Sequence, residues 1–279
     1  MDEFFGIDIG GTSVKWAVLG EDFSIRARGS IPTDFSTAEE AVSTLMEIVE
    51  PYADRVRAIG VSAPGGIYEG DPDGVIHRGG ALTYMDGCPV GRLLRERFDM
   101  PVAVDNDGKC CALGEYAAGA LRGANGFAGE FSFIRNDAQA PVSMGNIFGG
   151  TGSWRTLVAL MLSEKGMEDD GTVDGRRAFE WVAAGDEAAR RGLDRYALMF
   201  DNMLLNLQAV LDPDVFAIAG GISCHPELME ALERQMEVAL SGFAGPLAGF
   251  PRPNVAAAQL GNDANLYGAV QGAMRLAQS

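Results

Sequence analysis

The run Phe4-Phe5-Gly6-Ile7-Asp8-Ile9-Gly10-Gly11-Thr12 constrains this chain more than any other stretch. A short apolar segment ends in an aspartate, two glycines and a hydroxyl. Val14-Lys15-Trp16-Ala17-Val18-Leu19 follows as a second apolar segment. Asp8 to Ser13 therefore reads as a tight turn between two strands, with glycine supplying left-handed backbone and close approach to a ligand. Consecutive N–H groups in such a turn form a concavity for anions. A carboxylate beside a phosphate site makes sense when a divalent cation lies between them. An ordinary glycine hairpin explains two glycines alone. Asp8, Thr12 and Lys15 in fixed spacing favour a phosphate cradle.

The rest of the chain reads as strands alternating with helices, the mark of an α/β fold with a mixed sheet. Strands are expected at 3–9, 14–19, roughly 23–31, 56–63, 101–105, 214–219 and 254–260. Ala41, Leu45, Ile48 and Val49 recur at helical spacing, so 38–52 is expected to be a helix. Further helices are expected at 108–120, 152–163, 176–184, 186–211, 226–240 and 263–277. Two α/β halves, each with a strand delivering a glycine pair, suggest two domains around a cleft. The expected division is 1–107 and 108–262, with the C-terminal helix 263–279 packing back on the first domain and hinges near 107–109 and Gly261. At 279 residues, both domains can bury a core.

Composition narrows the partners. The formal net charge of −17 argues against nucleic acid and anionic membranes, which need a positive surface. No apolar run reaches the length of a membrane span. The start Met-Asp-Glu lacks the basic region of a secretory leader. Cys88, Cys110, Cys111 and Cys224 form no Cys-x-x-Cys pair, so a reduced, cytoplasmic protein is expected. His77 and His225 have no partner at zinc-like spacing, and no zinc site is expected.

Three further segments carry chemistry. In Val102-Ala103-Val104-Asp105-Asn106-Asp107-Gly108, polar residues end a buried strand just before a helix, where ligands gather in α/β sheets. Asp107 there is either a general base for a hydroxyl or a helix cap. Gly123-Ala124-Asn125-Gly126-Phe127-Ala128-Gly129-Glu130 sets Asn125 and Glu130 among small residues, which suits a polyhydroxylated ligand and equally a surface loop. Ala219-Gly220-Gly221-Ile222-Ser223 is either a nucleotide-binding turn or a plain strand-to-helix turn.

Taken in order with Val61-Ser62-Ala63-Pro64-Gly65, these motifs resemble the ROK family of repressors, open reading frames and sugar kinases, from Phe5 to about Ala273. The resemblance implies the two-domain actin-like (ribonuclease H-like) fold of sugar kinases. It also implies ATP and Mg²⁺ in an interdomain cleft, a hexose or hexose derivative as acceptor, and the possibility of a homodimer. It makes Asp107 the catalytic base. Asn106, Asn125, Glu130, Gly65 and Gly66 become sugar-side residues. Asp8, Gly10, Gly11, Thr12 and Lys15 face the phosphates and metal, and Gly220 and Gly221 the adenosine. A chain starting on the first strand leaves no helix-turn-helix ahead of it, which disfavours the repressor branch.

The chain departs from that family in three ways. Phe133 stands where many members carry a histidine that contacts sugar and zinc, and Ser143 to Gly150 lacks the cysteine-rich zinc motif; both resemble the zinc-free Gram-positive branch. The third departure is the largest. Ala112 to Ala120 runs almost straight into Leu121-Arg122-Gly123-Ala124-Asn125, leaving no room, between about 120 and 124, for the hairpin that forms the family's second phosphate cradle. One oxyanion donor is typically worth ~3 kcal/mol, so losing a cradle should weaken catalysis. Three functions follow as alternatives: an ATP-dependent sugar kinase, a weak or inactive sugar- or nucleotide-binding relative, and a phosphotransferase acting on a carboxylate such as acetate. The Asn106-Asp107 and Asn125…Glu130 pairs suit hydroxyls and favour the first.

Overall fold

The computed structural model describes residues 2–80, 82–124, 147–243 and 248–278. The chain divides into two compact units. The first is Met1–Gly123 with Asn262–Ser279, and the second is Ala124–Gly261.

In the first unit β1 (Glu3–Ile9), β2 (Ser13–Gly20) and β3 (Ile25–Pro32) form an antiparallel meander, with Ile9 opposite Val14 at the first turn. Helix α1 (Ala38–Val49) returns the chain to β4 (Val56–Ala63), which lies parallel to β1. Helix α2 (Val90–Phe98) leads to β5 (Val102–Asn106), parallel to β4. The sheet order is β3-β2-β1-β4-β5. The Thr37 side chain accepts from the Glu40 N–H, and the Glu40 carboxylate accepts from the Ser36 N–H, so both ends of the first turn of α1 are satisfied. The helix tightens to a 3₁₀ turn at Glu50–Tyr52 because Pro51 has no N–H to continue it. The sequence gives no strong sign of α2, which is short and caps without a side chain at its start.

Alternation along β1 splits the core into two layers. Phe5, Ile7 and Ile9 pack with Leu45, Val49, Ile59 and Leu94, while Phe4 faces Leu266, Val270 and Met274 on α8 (Ala264–Gln278). Helix α8 approaches the sheet and α3 (Asp107–Ala118) at backbone distance. A Cβ at Gly60 would lie 1.9 Å from the Ala269 carbonyl, and one at Gly268 would lie 1.8 Å from that of Cys110. This contact is why the first unit continues beyond Asp107, where the sequence reading ends it, to Gly123: α3 belongs with α8, not with the second unit.

The second unit is mainly helical among the described residues. It contains α4 (Gly150–Lys165), α5 (Gly175–Ala183), α6 (Glu187–Leu211) and α7 (Pro226–Leu240). Two short parallel strands, β6 (Phe216–Ile218) and β7 (Val255–Ala257), accompany them. Asp174 and Asp186 cap α5 and α6 through their carboxylates. The core joins Leu157 and Met161 of α4 to Leu193, Tyr196 and Leu204 of α6 and Leu232 of α7. The strands expected at 214–219 and 254–260 are shorter here, three residues each.

Candidate functional site

Asp8 closes β1 and is 6% exposed. Its Oδ1 accepts from the Ser62 hydroxyl at 2.9 Å and from the Asn265 amide at 3.0 Å. Its Oδ2 lies 3.9 Å from the Lys15 ammonium, which donates to the Asn262 carbonyl at 3.1 Å. One carboxylate oxygen is therefore saturated, and the other faces the Lys15 ammonium of β2.

The turn itself differs from the expected mechanism. Gly10 is not in the left-handed region. It is glycine because a Cβ would come 2.9 Å from the Ser13 carbonyl, to which its own N–H donates at 3.1 Å. The Thr33 hydroxyl holds the Gly10 carbonyl at 2.7 Å. Gly11 and Thr12 are exposed, and no main-chain group takes up their N–H among the described residues. The loop is pinned at its base and presents two donors at its tip.

Register carries this site across the sheet. Asp8 pairs with Ser62 on β4, and Ser62 with Asp105 on β5. The ends of all three parallel strands thus lie at one edge, Asp8 and Asp105 separated by two strand spacings, about 10 Å. Asn106 is the cap of α3: its Oδ1 accepts from the Gly108 and Lys109 N–H groups at 2.9 and 3.3 Å. Its amide nitrogen donates to the Gly65 carbonyl at 2.7 Å. Asn106, not Asp107, is the capping residue, and its oxygen is fully used by the fold.

Asp107 is the first residue of α3 and is exposed, with its Oδ1 accepting from the Gly108 N–H at 2.8 Å. Gly65 has φ +85, and a Cβ there would lie 2.5 Å from the His77 carbonyl. Gly66 exchanges both main-chain hydrogen bonds with His77, at 2.7 and 2.9 Å. The two glycines so form a rigid corner held against the start of α3 by Asn106. Behind it, burial pushes the Cys110 thiol well up and the Cys111 thiol up to about 11, so neither is a thiolate near neutral pH.

In the second unit Gly220 (φ +95) and Gly221 border a cavity of about 760 Å³. A Cβ on either glycine would meet nothing within 4 Å, so packing does not require them and the space in front of them is open. Phe148, Trp154, Phe179 and His225 give the cavity an aromatic wall. His225 lies flat on Phe179 at 3.8 Å between centroids and 4° between planes. The wall leaves no local signal in the sequence, because Trp154 of α4, Phe179 of α5 and His225 at the start of α7 meet only through packing. Asn125 and Glu130 lie outside the described residues.

No cluster of three or more histidine, cysteine or acidic side chains suited to caging a metal occurs among the described residues. No helix there is long and apolar enough to cross a membrane. Between the end of α3 and Ala124 only turns are present, with Gly119 closing the helix and the Glu115 carboxylate accepting from the Ala120 N–H at 2.7 Å.

A family model described as the ROK family matches residues 4–125 and 118–278, two segments that overlap at 118–125. Glucokinase from Halalkalibacterium halodurans is 26% identical over 322 aligned positions, spanning 95% of this chain and 93% of its own length. Those positions outnumber the residues of this chain, so the relative carries segments that this chain does not. A solved ROK family protein from Streptococcus pneumoniae TIGR4, in complex with sucrose, has a TM-score of 0.80 at 25% identity, covering 99% of this chain and 100% of that one. A ROK family glucokinase from Streptomyces griseus, in complex with glucose and AMPPNP, has a TM-score of 0.75 at 23% identity, covering 98% and 99%. These neighbours share the two-domain actin-like fold with this chain.

Proposed function

The chain belongs to the ROK family, and we propose on that premise that it is an ATP-dependent sugar kinase with Asp107 as general base. The observation that carries the proposal is the shared edge of three parallel strands. A buried carboxylate, Asp8, and an exposed one, Asp107, both stand at the ends of in-register strands. Phosphoryl transfer needs these two roles separated: a fixed charge on the phosphate side and an accessible base on the acceptor side.

In this reading Asp107 accepts the proton of a sugar hydroxyl as its oxygen attacks the γ-phosphorus. Asn106 keeps the Gly65-Gly66 corner against α3, which fixes the wall on which the sugar rests. Asn125 and Glu130 supply further hydroxyl contacts by the family pattern. The Gly11 and Thr12 N–H groups and the Lys15 ammonium bind phosphate oxygens. The aromatic cavity beside Gly220 and Gly221 takes the adenosine; its volume lies within the range of small-molecule sites.

A divalent cation fits the donor set of Asp8 in one mode. Mg²⁺ is commonly held by one or two carboxylates together with substrate phosphates and water, and Asp8 offers Oδ2, which faces the Lys15 ammonium at 3.9 Å, beside the phosphate turn. When bound, the ion neutralises charge on the transferring phosphate. A cytoplasmic location belongs to the same proposal, since ATP and Mg²⁺ are plentiful there.

A second reading is favoured by one observation. The family match falls into two segments that overlap at residues 118–125, and only turns join α3 to Ala124, which supports a reading in which the second phosphate cradle is lacking. A chain lacking those donors would bind sugar and nucleotide with little turnover. A coupled ADP-release assay across a hexose panel separates the two. Sugar-dependent turnover is expected, whereas calorimetric sugar binding without turnover on any hexose would refute the kinase reading and support the binding protein.

A further inference from the structure

The C-terminal helix reaches into the phosphate turn. Asn265, in the first turn of α8, donates to Asp8 Oδ1, the same oxygen that accepts from Ser62. A carboxylate accepts only, so the group presented by Asn265 is its NH₂. Three residues earlier the Asn262 carbonyl takes the Lys15 ammonium. One short segment, 262–265, so touches both charged groups of the turn, although it lies more than 240 residues away in sequence.

We propose that Asn265 is a positioning residue for the metal–nucleotide site. With Ser62, it holds Asp8 Oδ1 and so leaves Oδ2, 3.9 Å from the Lys15 ammonium, as the oxygen turned to the ligand. This rests on the reading of Asp8 as the carboxylate on the metal side. The geometry has a direct consequence. A carboxylate with one oxygen accepting two hydrogen bonds within the protein is held against rotation, so it acts through its other oxygen in a fixed direction. Partners of this kind orient a ligand without touching the metal, and their loss typically lowers metal affinity by roughly 10- to 100-fold. Asn265 is placed for this by α8 itself, whose close approach at Gly60 and Gly268 leaves its first turn at the end of β1.

The test is calorimetric titration of AMPPNP into the full chain, with excess Mg²⁺ and again with EDTA, so that binding is read without turnover. Asn265→Ala keeps a good helix former on α8. It is expected to lose roughly 10- to 100-fold in affinity for the Mg²⁺ complex while the affinity for metal-free nucleotide stays within about twofold. Ser62→Ala removes the other donor to the same oxygen and is expected to lose affinity in the same selective way, which keeps the proposal testable if one variant folds poorly. Folded variants that bind the Mg²⁺ complex as tightly as the parent would overturn the positioning role alone. A parent whose nucleotide affinity is indifferent to Mg²⁺ would overturn the metal-side reading of Asp8 and this proposal with it.

Discussion

Asp201 is the sharpest stability test in the molecule. It lies on α6 with no exposed surface, and neither carboxylate oxygen has a hydrogen-bond partner among the described residues. Burial raises its pKa to about 8; Arg252, held by Glu233 and Glu237, draws it down, and Glu233 pushes it up. In the unfolded chain the group titrates near its ordinary value of 3.8. Between these values the folded state carries a proton that the unfolded state has lost. Its stabilising contribution is therefore whole below about pH 4 and is lost as pH rises toward 8. Each unit costs ~1.4 kcal/mol, so the loss across the window is on the order of 5 kcal/mol. Asp201→Asn keeps the shape and removes the titration. Urea unfolding of parent and variant at intervals from pH 4.5 to 9 should show a gap that grows with pH in favour of the variant. Taking the difference cancels the other titrating groups. A gap that does not change with pH, or a variant less stable than the parent at pH 8, would refute the reasoning.

Three further outcomes follow from the geometry. Asn106→Ala loses the cap of α3 and the bond to Gly65, so the urea midpoint should fall by an amount equivalent to about 2 kcal/mol even without sugar, an effect that a pure substrate contact would not produce. Gly268→Val drives a side chain into the Cys110 carbonyl and should destabilise by at least about 3 kcal/mol, read as a lowered midpoint in a circular dichroism melt. Gly221→Phe meets open space, so thermal stability should hold while AMPPNP affinity falls by at least about tenfold, read by calorimetry or by the fluorescence of Trp154 in the cavity wall.

The parts legible in the sequence are those carried by local pattern. The β1–β2 turn, α1, α6 and the strand ending at Asn106 all follow from periodicity and punctuation, because their residues are neighbours in the chain. Asn106 shows where this stops. Its neighbour Asp107 reads equally well as a cap, and only the backbone at the start of α3 decides that Asn106 accepts the two N–H groups. Gly10 reads as a left-handed glycine but owes its identity to the Ser13 carbonyl. Asn265 and the Phe179–His225 stack leave no signal at all, since each depends on a helix packing across a long sequence separation. The boundary between the units moved for the same reason: the close approach of α3 and α8 at Gly268 is a tertiary fact that no local pattern announces.

The most direct test of the central claim is the turnover of Asp107→Asn with the best sugar from the panel, set beside its calorimetric sugar affinity. Asn keeps the shape of the side chain and cannot take the proton. The account predicts that kcat falls by roughly 10²- to 10⁴-fold while sugar binding stays within a few-fold of the parent. A variant that phosphorylates sugar at close to the parent rate would contradict it, because the base would then have to be some other group.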